Sequence, residues 1–151
     1  MNEFTTEYHD VIWVTLAYIG VYYAIITNGL RVKMKLVREC KAEGKPFLRY
    51  SNTYPELLAS DRHQLNTLEH MPPFLVLLWL QAFVVSVESA MILGWIYVLL
   101  RVTYPFFVGS RLRSGIKARV FINTWAGYTV LTIFARYMFP GVITRELHTP
   151  D

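Results

Sequence analysis

Four long apolar segments alternate with shorter polar stretches along the 151-residue chain. Each segment is close to the ~20 residues that a helix needs to cross the hydrocarbon core of a bilayer. We therefore predict four transmembrane helices, at about residues 11–30, 65–87, 90–108 and 120–139. No internal repeat or second domain interrupts the pattern. The expected fold is a single all-α integral membrane domain over residues 1–151, built as a four-helix bundle.

A turn is predicted between the second and third spans, and a kink is predicted within the second. Glu88 and Ser89 are expected to form the short turn between them. Pro72 and Pro73 lie inside the second span, where they leave backbone carbonyls without N–H donors and favour a kink. Membrane helices tolerate such prolines where neighbouring groups or water bind the freed carbonyls. A kink at this point would open the bundle to a polar ligand.

Composition and charge distribution support the membrane interpretation. Hydrophobic residues make up 54% of the chain and charged residues only 17%, whereas soluble domains carry about a quarter charged residues. Residues 1–30 contain no Lys or Arg, residues 31–62 contain eight and residues 109–119 contain four. This alternation predicts that the connections 31–62 and 109–119 are cytoplasmic, in a bacterial inner membrane or the endoplasmic reticulum. The net charge of +4 is therefore no indication of a nucleic-acid partner.

A polar stripe marks the start of the second predicted span. Arg62, Asn66, Glu69 and Pro73 follow one another at intervals of four, three and four residues, which places them on one helix face. Polar and charged groups entering an apolar span are costly unless they meet partners or a polar cavity. We therefore expect this face to contact a partner or a ligand.

Arg101 lies within the third predicted span, on one face with Tyr97 and Tyr104. An unpaired arginine in a membrane costs several kcal/mol. Because the second and third spans form an antiparallel hairpin, an ion pair between Glu69 and Arg101 is expected. Its role is either purely structural, fixing the helix register, or part of a functional site.

Further polar residues are expected near the same depth. Arg31 closes the first span, Gln64 precedes Asn66, and Arg113 and Lys117 follow the third span. Arginine forks suit carboxylates, Glu suits an ammonium group and amides suit peptide groups, so the set fits a small zwitterionic ligand with carboxylates. Simple anchoring to anionic headgroups is the better interpretation of other basic residues, namely Arg38, Lys41, Arg111 and Arg119.

Other chemistries have little support in the sequence. His63 and His70 lack accompanying metal ligands, so we expect packing or interfacial roles for them and no metal site. Cys40 is the single cysteine and is interpreted as inert. The chain contains no nucleophile-elbow, phosphate-loop or dinucleotide-binding motif.

The second predicted span resembles the signature of the MAPEG family, the membrane-associated proteins in eicosanoid and glutathione metabolism. The matching run is Arg62-x-Gln64-x-Asn66-x-x-Glu69-x-x-Pro72, followed by Leu78-Trp79. Three supporting matches are Arg31 at the end of the first span, Arg101-x-x-Tyr104 in the third, and Leu112-Arg113-x-x-Ile116-Lys117. The resemblance covers about residues 11–139.

The resemblance implies a homotrimer of four-helix subunits that binds glutathione between subunits near the cytoplasmic side. The glutathione contacts that it implies are Arg31, Arg62, Gln64, Asn66, Glu69, Arg101 and Tyr104. The family's catalytic arginine falls on Lys117, or on Arg113 if the connection contains small gaps. A second tyrosine found in many active members is absent, since Phe107 and Val108 stand at that place.

Two functions follow from the resemblance. One is a glutathione transferase or peroxidase-like enzyme, in which Lys117 or Arg113 stabilises the thiolate and a lipophilic small-molecule substrate arrives from the membrane lipids. The other is a non-catalytic lipid-binding membrane protein of the same fold. The polar set on the second span favours glutathione binding, whereas the missing tyrosine and the lysine at 117 favour the second function.

Overall fold

The computed structural model describes residues 3–111 and 124–137, and every regular element in these ranges is a helix. The elements are α1 (Glu3–Glu7), α2 (His9–Ala42), α3 (Pro55–Val84), α4 (Val87–Val108) and α5 (124–137). Helices α2, α3 and α4 are long and apolar enough to cross a membrane. The first three predicted spans are therefore confirmed as helices, and α5 lies within the fourth predicted span.

The connections are shorter than the hydropathy pattern predicts. The polar stretch 31–62 is mostly helical, since α2 continues to Ala42 and α3 begins at Pro55, which leaves a connection of residues 43–54. The turn expected at Glu88 and Ser89 is wrong by a few residues. The break falls at Val85 and Ser86, and the Ser86 side chain caps α4 by accepting a hydrogen bond from the backbone N–H of Ser89.

Tight packing joins α2, α3 and α4 along an apolar core. Phe74 of α3 stacks on Tyr97 of α4 with ring centroids 4.3 Å apart, and Tyr18 of α2 lies 4.7 Å from Phe74. Gly94 permits the close approach of these helices, because a Cβ atom there would lie 2.7 Å from Val14 Cγ1. The core therefore holds α3 between its neighbours and fixes which of its faces points outward.

Two ion pairs fasten the end of the bundle at which α3 begins. Arg49, in the α2–α3 connection, donates two hydrogen bonds to the carboxylate of Asp61, at 2.8 and 3.0 Å. Arg111, just after α4, donates two hydrogen bonds to one oxygen of Glu56, at 2.9 and 2.7 Å. Arg111 thus pairs with Glu56, whereas the sequence suggested headgroup anchoring. Both pairs attach neighbouring segments to the first turns of α3.

Candidate functional site

Arg101 lies at the centre of a buried polar cluster between α3 and α4. Its side chain is fully buried, and its guanidinium donates to Asn66 Oδ1 at 2.7 Å and to the Tyr97 hydroxyl at 3.0 Å. The same hydroxyl lies 3.1 Å from His70 Nδ1. The rings of Tyr97 and Tyr104 also flank the guanidinium, at 4.9 and 5.9 Å from its carbon to the ring centroids. The expected clustering of these two tyrosines with Arg101 is confirmed.

Helix α5 closes this cluster with its smallest residue. A Cβ atom on Gly127 would lie 2.7 Å from Arg101 Nη2, closer than nonbonded atoms normally approach. One residue later, the ring of Tyr128 lies 5.0 Å from that of His70. The absence of a side chain at position 127 is therefore what lets α5 pack over the guanidinium.

The expected ion pair between Glu69 and Arg101 is wrong. Glu69 is exposed on the outer face of α3, whereas Arg101 is fully buried, and the ion pairs among the described residues do not join them. Asn66 takes the place expected for Glu69, because its short amide stands at the border between the inner and outer faces. Arg101 is consequently bonded to neutral acceptors, and no described carboxylate forms an ion pair with it.

The polar stripe of α3 points away from the core. Arg62 and Glu69 are exposed, Asn66 is partly buried, and Pro72 and Pro73 are exposed on the same side. Helix α3 continues through both prolines, which cannot donate to the carbonyls of Leu68 and Glu69. The outer face therefore offers a cation, an anion, an amide and backbone acceptors within about two helical turns.

Tyr104 connects the buried cluster with this outer face. Its side chain is 1% exposed, its ring packs edge-on against His63 with centroids 6.0 Å apart, and Arg62 and Glu69 of the outer face interact electrostatically with its hydroxyl. The structure thus brings together five residues of the predicted glutathione set. These residues are Arg62, Asn66, Glu69, Arg101 and Tyr104.

The remaining predicted site residues are not part of this group of five. Arg31 lines a groove along the outside of α2 with Lys35 and Arg38, and this groove contains no other member of the predicted set. Gln64 is partly buried and lies two residues after the start of the stripe, about half a helical turn away. Lys117 and Arg113, the predicted catalytic candidates, lie outside the described residues.

Sequence reasoning did not identify the chemical environment of two histidines. His63 and His70 are buried on the inner face of α3, seven residues apart, which agrees with the packing role expected for them. His70 also joins the Arg101 cluster through Tyr97. Their spacing of two helical turns was the available signal, because it places both on one face. Among the described residues, no group of three potential metal ligands is assembled.

Comparison with family models matches residues 11–137 to the MAPEG family. The matched region includes α2, α3, α4 and α5 together with the polar stripe and the Arg101 cluster. A search of curated proteins finds no match.

Proposed function

This chain belongs to the MAPEG family of membrane proteins, and we propose that it is a glutathione transferase with peroxidase-like capacity. The observation that carries the proposal is the hydrogen bond from Arg101 to Asn66. Because Oδ1 of Asn66 is engaged by Arg101 at 2.7 Å, its amide N–H groups are the part that remains to meet a ligand. A buried arginine thereby fixes the orientation of a group on the outward stripe.

The stripe has the complementary chemistry for glutathione as a substrate. Arg62 would bind a glutathione carboxylate, Glu69 the ammonium group and Asn66 a peptide carbonyl. Tyr104 is the buried side chain next to Arg62. Arg101 would act through Asn66, as a positioning residue. The donor types match the ligand without requiring any buried group to leave its present partner.

A complete site would need more than one copy of the chain. Charged residues exposed on a membrane-spanning helix are unfavourable against lipid, so a protein surface is expected to cover the stripe. Arg31 lies in a groove on α2, away from the stripe of α3 in the same copy, and assembly would let the Arg31 of a neighbouring copy reach that stripe. We therefore propose a homotrimer, with glutathione between subunits at the cytoplasmic side.

The proposed chemistry is attack by the glutathione thiolate, stabilised by Lys117 or Arg113. A nearby cation favours the thiolate by charge and hydrogen bonding. With an aryl halide, the C–S bond forms as the carbon–halogen bond breaks and halide leaves. With a lipid hydroperoxide, the sulfur attacks the terminal peroxide oxygen and the O–O bond breaks, so that the lipid alkoxide leaves and takes up a proton to become the alcohol. A second glutathione thiol then condenses with the resulting sulfenic acid, which forms the S–S bond of glutathione disulfide and releases water.

The deciding experiment measures the ultraviolet absorbance of the thiolate when glutathione is added to the purified chain. We expect a thiolate signal in the wild type and its loss in either Lys117→Ala or Arg113→Ala, with Arg119→Ala as the matched control. Conjugation of a generic aryl halide should fall in parallel. If the wild type gives neither a thiolate signal nor conjugation, the transferase proposal is wrong.

A non-catalytic lipid-binding role is the second candidate function. It is favoured by Phe107 and Val108, which stand where many active relatives carry a second tyrosine. Under this alternative, glutathione binds without forming thiolate, or does not bind.

A further inference from the structure

His70, which is not in the proposed glutathione set, ends a chain of buried hydrogen bonds that begins on the polar stripe of α3. Its side chain is 5% exposed, and its Nδ1 lies 3.1 Å from the hydroxyl of Tyr97. That hydroxyl also accepts from Nη2 of Arg101 at 3.0 Å, and Nη1 of Arg101 donates to Asn66 at 2.7 Å. Asn66 and His70 stand one turn apart on α3, as Tyr97 and Arg101 do on α4. Each residue of one pair therefore faces one residue of the other pair across the antiparallel hairpin.

The donors along this chain have one consistent direction. A guanidinium donates but cannot accept, so the Tyr97 oxygen is the acceptor for Arg101. Tyr97 is fully buried, and within the described residues His70 Nδ1 is the acceptor in reach of its single phenolic hydrogen. A proton on Nδ1 would instead compete with Arg101 for the Tyr97 oxygen. His70 is therefore neutral, with a lone pair on Nδ1 and its hydrogen on Nε2.

Packing leaves the direction of the Tyr97 hydrogen as the adjustable part of the chain. The Tyr97 ring is fixed, because Phe74 stacks on it with only 14° between the ring planes. The guanidinium of Arg101 is confined by α5, since a Cβ atom on Gly127 would lie 2.7 Å from Nη2. A hydroxyl on a fixed ring still rotates its hydrogen, and a hydrogen turned toward Arg101 would oppose the N–H donor there. The acceptor on His70 prevents that rotation.

The other end of the chain is where orientation matters for a ligand. The planar guanidinium of Arg101 is held at two points, by Tyr97 at Nη2 and by Asn66 at Nη1. This arrangement keeps the oxygen of the Asn66 amide inward and its N–H groups available to a ligand. An amide turned the other way would offer its oxygen, which cannot bind the oxygen of a peptide carbonyl.

We propose that His70 is a positioning residue for the glutathione site, an inference that rests on the proposed function. Its neutral ring accepts the Tyr97 hydrogen, and Arg101 then holds the Asn66 amide in the orientation that suits a peptide carbonyl of glutathione. His70 itself touches no glutathione, because it lies on the inner face of α3. Its effect should therefore appear in glutathione affinity and should depend on an acceptor in the place of Nδ1.

Calorimetric titration of the full chain in nanodiscs with glutathione tests the acceptor. His70→Phe keeps a ring but has no acceptor, so we expect about tenfold weaker binding, equivalent to the loss of one hydrogen bond. In His70→Asn the side-chain oxygen takes the place of Nδ1, and affinity should stay within about threefold of the wild type. Thermal unfolding of each variant identifies any loss of fold.

His63→Phe is the matched control for these variants. His63 is a second buried histidine on the inner face of α3, and among the described residues its Nε2 has no hydrogen-bond partner. Replacing it by Phe keeps an aromatic ring and removes no described side-chain hydrogen bond. This variant should bind glutathione like the wild type.

A double variant distinguishes positioning from a general loss of packing. Asn66→Asp keeps an oxygen for Arg101 but has no amide N–H to offer, so it should bind glutathione about tenfold more weakly than the wild type. Adding His70→Phe should weaken binding by less than about twofold more, because the group that His70 positions is already gone. A further tenfold loss would show that His70 acts by another route, and would overturn the proposal.

Nitrogen NMR of isotope-labelled histidine reads the chain without glutathione. The chain contains 4 histidines, and the resonances missing from His70→Phe identify those of His70. We expect the pattern of the neutral Nε2–H tautomer. Tyr97→Phe should shift the Nδ1 resonance, because it removes the donor to that atom. A proton on Nδ1 in the wild type would overturn the proposal.

The outcomes separate this inference from the proposed function. Suppose that the wild type binds glutathione and His70→Phe binds it equally well, or that His70→Asn loses as much affinity as His70→Phe. The positioning role is then wrong, and the glutathione site is unaffected. If the wild type binds no glutathione, the proposed function and the positioning role are both wrong, whatever the histidine resonances show.

Discussion

The inner and outer faces of α3 both carry polar side chains, but the two sets are satisfied in different ways. On the inner face, the Thr67 hydroxyl donates to the carbonyl of His63 at 2.8 Å, His70 bonds Tyr97, and Gln81 Nε2 donates to Ser89 Oγ at 2.9 Å. Each of these bonds lies within a single copy of the chain. Polar residues on this face therefore serve mainly the architecture of the bundle.

The outer face carries charged side chains that a single copy of the chain leaves exposed. Arg62 and Glu69 are exposed, although they stand on a helix long and apolar enough to cross a membrane. Asn66, at the border, links the outer face to the buried cluster, because its side chain accepts a hydrogen bond from buried Arg101. The difference teaches that a polar residue in a membrane helix must be interpreted by its face before it is interpreted by its type. The predictions below test this division, from the largest expected effect to the smallest.

Substituting the residue at the border should cost the most stability. Asn66→Leu removes the acceptor of Arg101 Nη1 and leaves a buried cationic donor unpaired, for an expected loss of about 3 kcal/mol. The free energy of unfolding in detergent measures the loss. Gln64→Leu, a matched substitution two residues away, should change it by only about 0.5 kcal/mol. Equal effects of the two variants would show that Asn66 has no special role in holding Arg101.

Adding one methyl group to α5 should disturb the same cluster. Gly127→Ala would place its Cβ 2.7 Å from Arg101 Nη2, and overpacking of this kind costs about 1–3 kcal/mol. Gly20→Ala is the control, because no atom lies within 4 Å of a Cβ there. A glycine inside a helix is less favourable than alanine by about 0.5–1 kcal/mol, so the control should stabilise. Unfolding midpoints that shift in the same direction for both variants would contradict the described packing of α5.

A substitution on the outer face should weaken ligand binding and leave the stability of the fold nearly unchanged. Glu69→Gln removes the proposed partner of the glutathione ammonium, so we expect about tenfold weaker glutathione binding by calorimetry. Stability should change by only about 0.5 kcal/mol, since Glu69 is exposed. Glu88→Gln, at an exposed carboxylate in the first turn of α4, should leave both quantities nearly unchanged. A stability loss as large as that of Asn66→Leu would place Glu69 in the inner set.

The smallest effect is expected for the ion pair that fastens the α2–α3 connection. Asp61→Asn removes the carboxylate that accepts two hydrogen bonds from Arg49, which is partly exposed. Such pairs contribute about 0.2–1 kcal/mol, less at high salt. The unfolding midpoint should therefore fall slightly at low salt, and the difference from the wild type should shrink as salt is added. A large, salt-independent loss would mean that the pair organises the whole connection.

Hydrophobic length made the helices predictable, but not their ends. The apolar pattern located α2, α3 and α4, because crossing a bilayer demands a long apolar run. It ended the first span near residue 30, whereas α2 continues to Ala42 through residues that favour helix, including the Lys35–Glu39 pair one turn apart. Hydropathy indicates which residues can contact lipid, whereas the helix itself can extend past them for as long as the local residues favour helix.

The site was predictable as a set of residues but not as a set of contacts. The spacing of Arg62, Asn66 and Glu69 predicted that they lie on one helix face. In the structure Arg62 and Glu69 are exposed on that face, and Asn66 lies at its border. Whether Arg101 would reach Asn66 or Glu69 depended on the rotation of α3 against α4, which the core fixes and the spacing does not. The role of Gly127 was beyond sequence reasoning, because a glycine in an apolar span gives no sign of what packs against it.

The two-residue break at Val85 and Ser86 has a consequence for how the chain enters the membrane. It joins α3 and α4 so closely that we expect them to form a hairpin before α5 is synthesised. Asn66 and Arg101, 35 residues apart, then meet across that hairpin, and Tyr97 lies one turn before Arg101 on the same helix. We therefore expect the arginine to enter the membrane already hydrogen-bonded, so that biogenesis does not have to deliver a bare cation to the lipid.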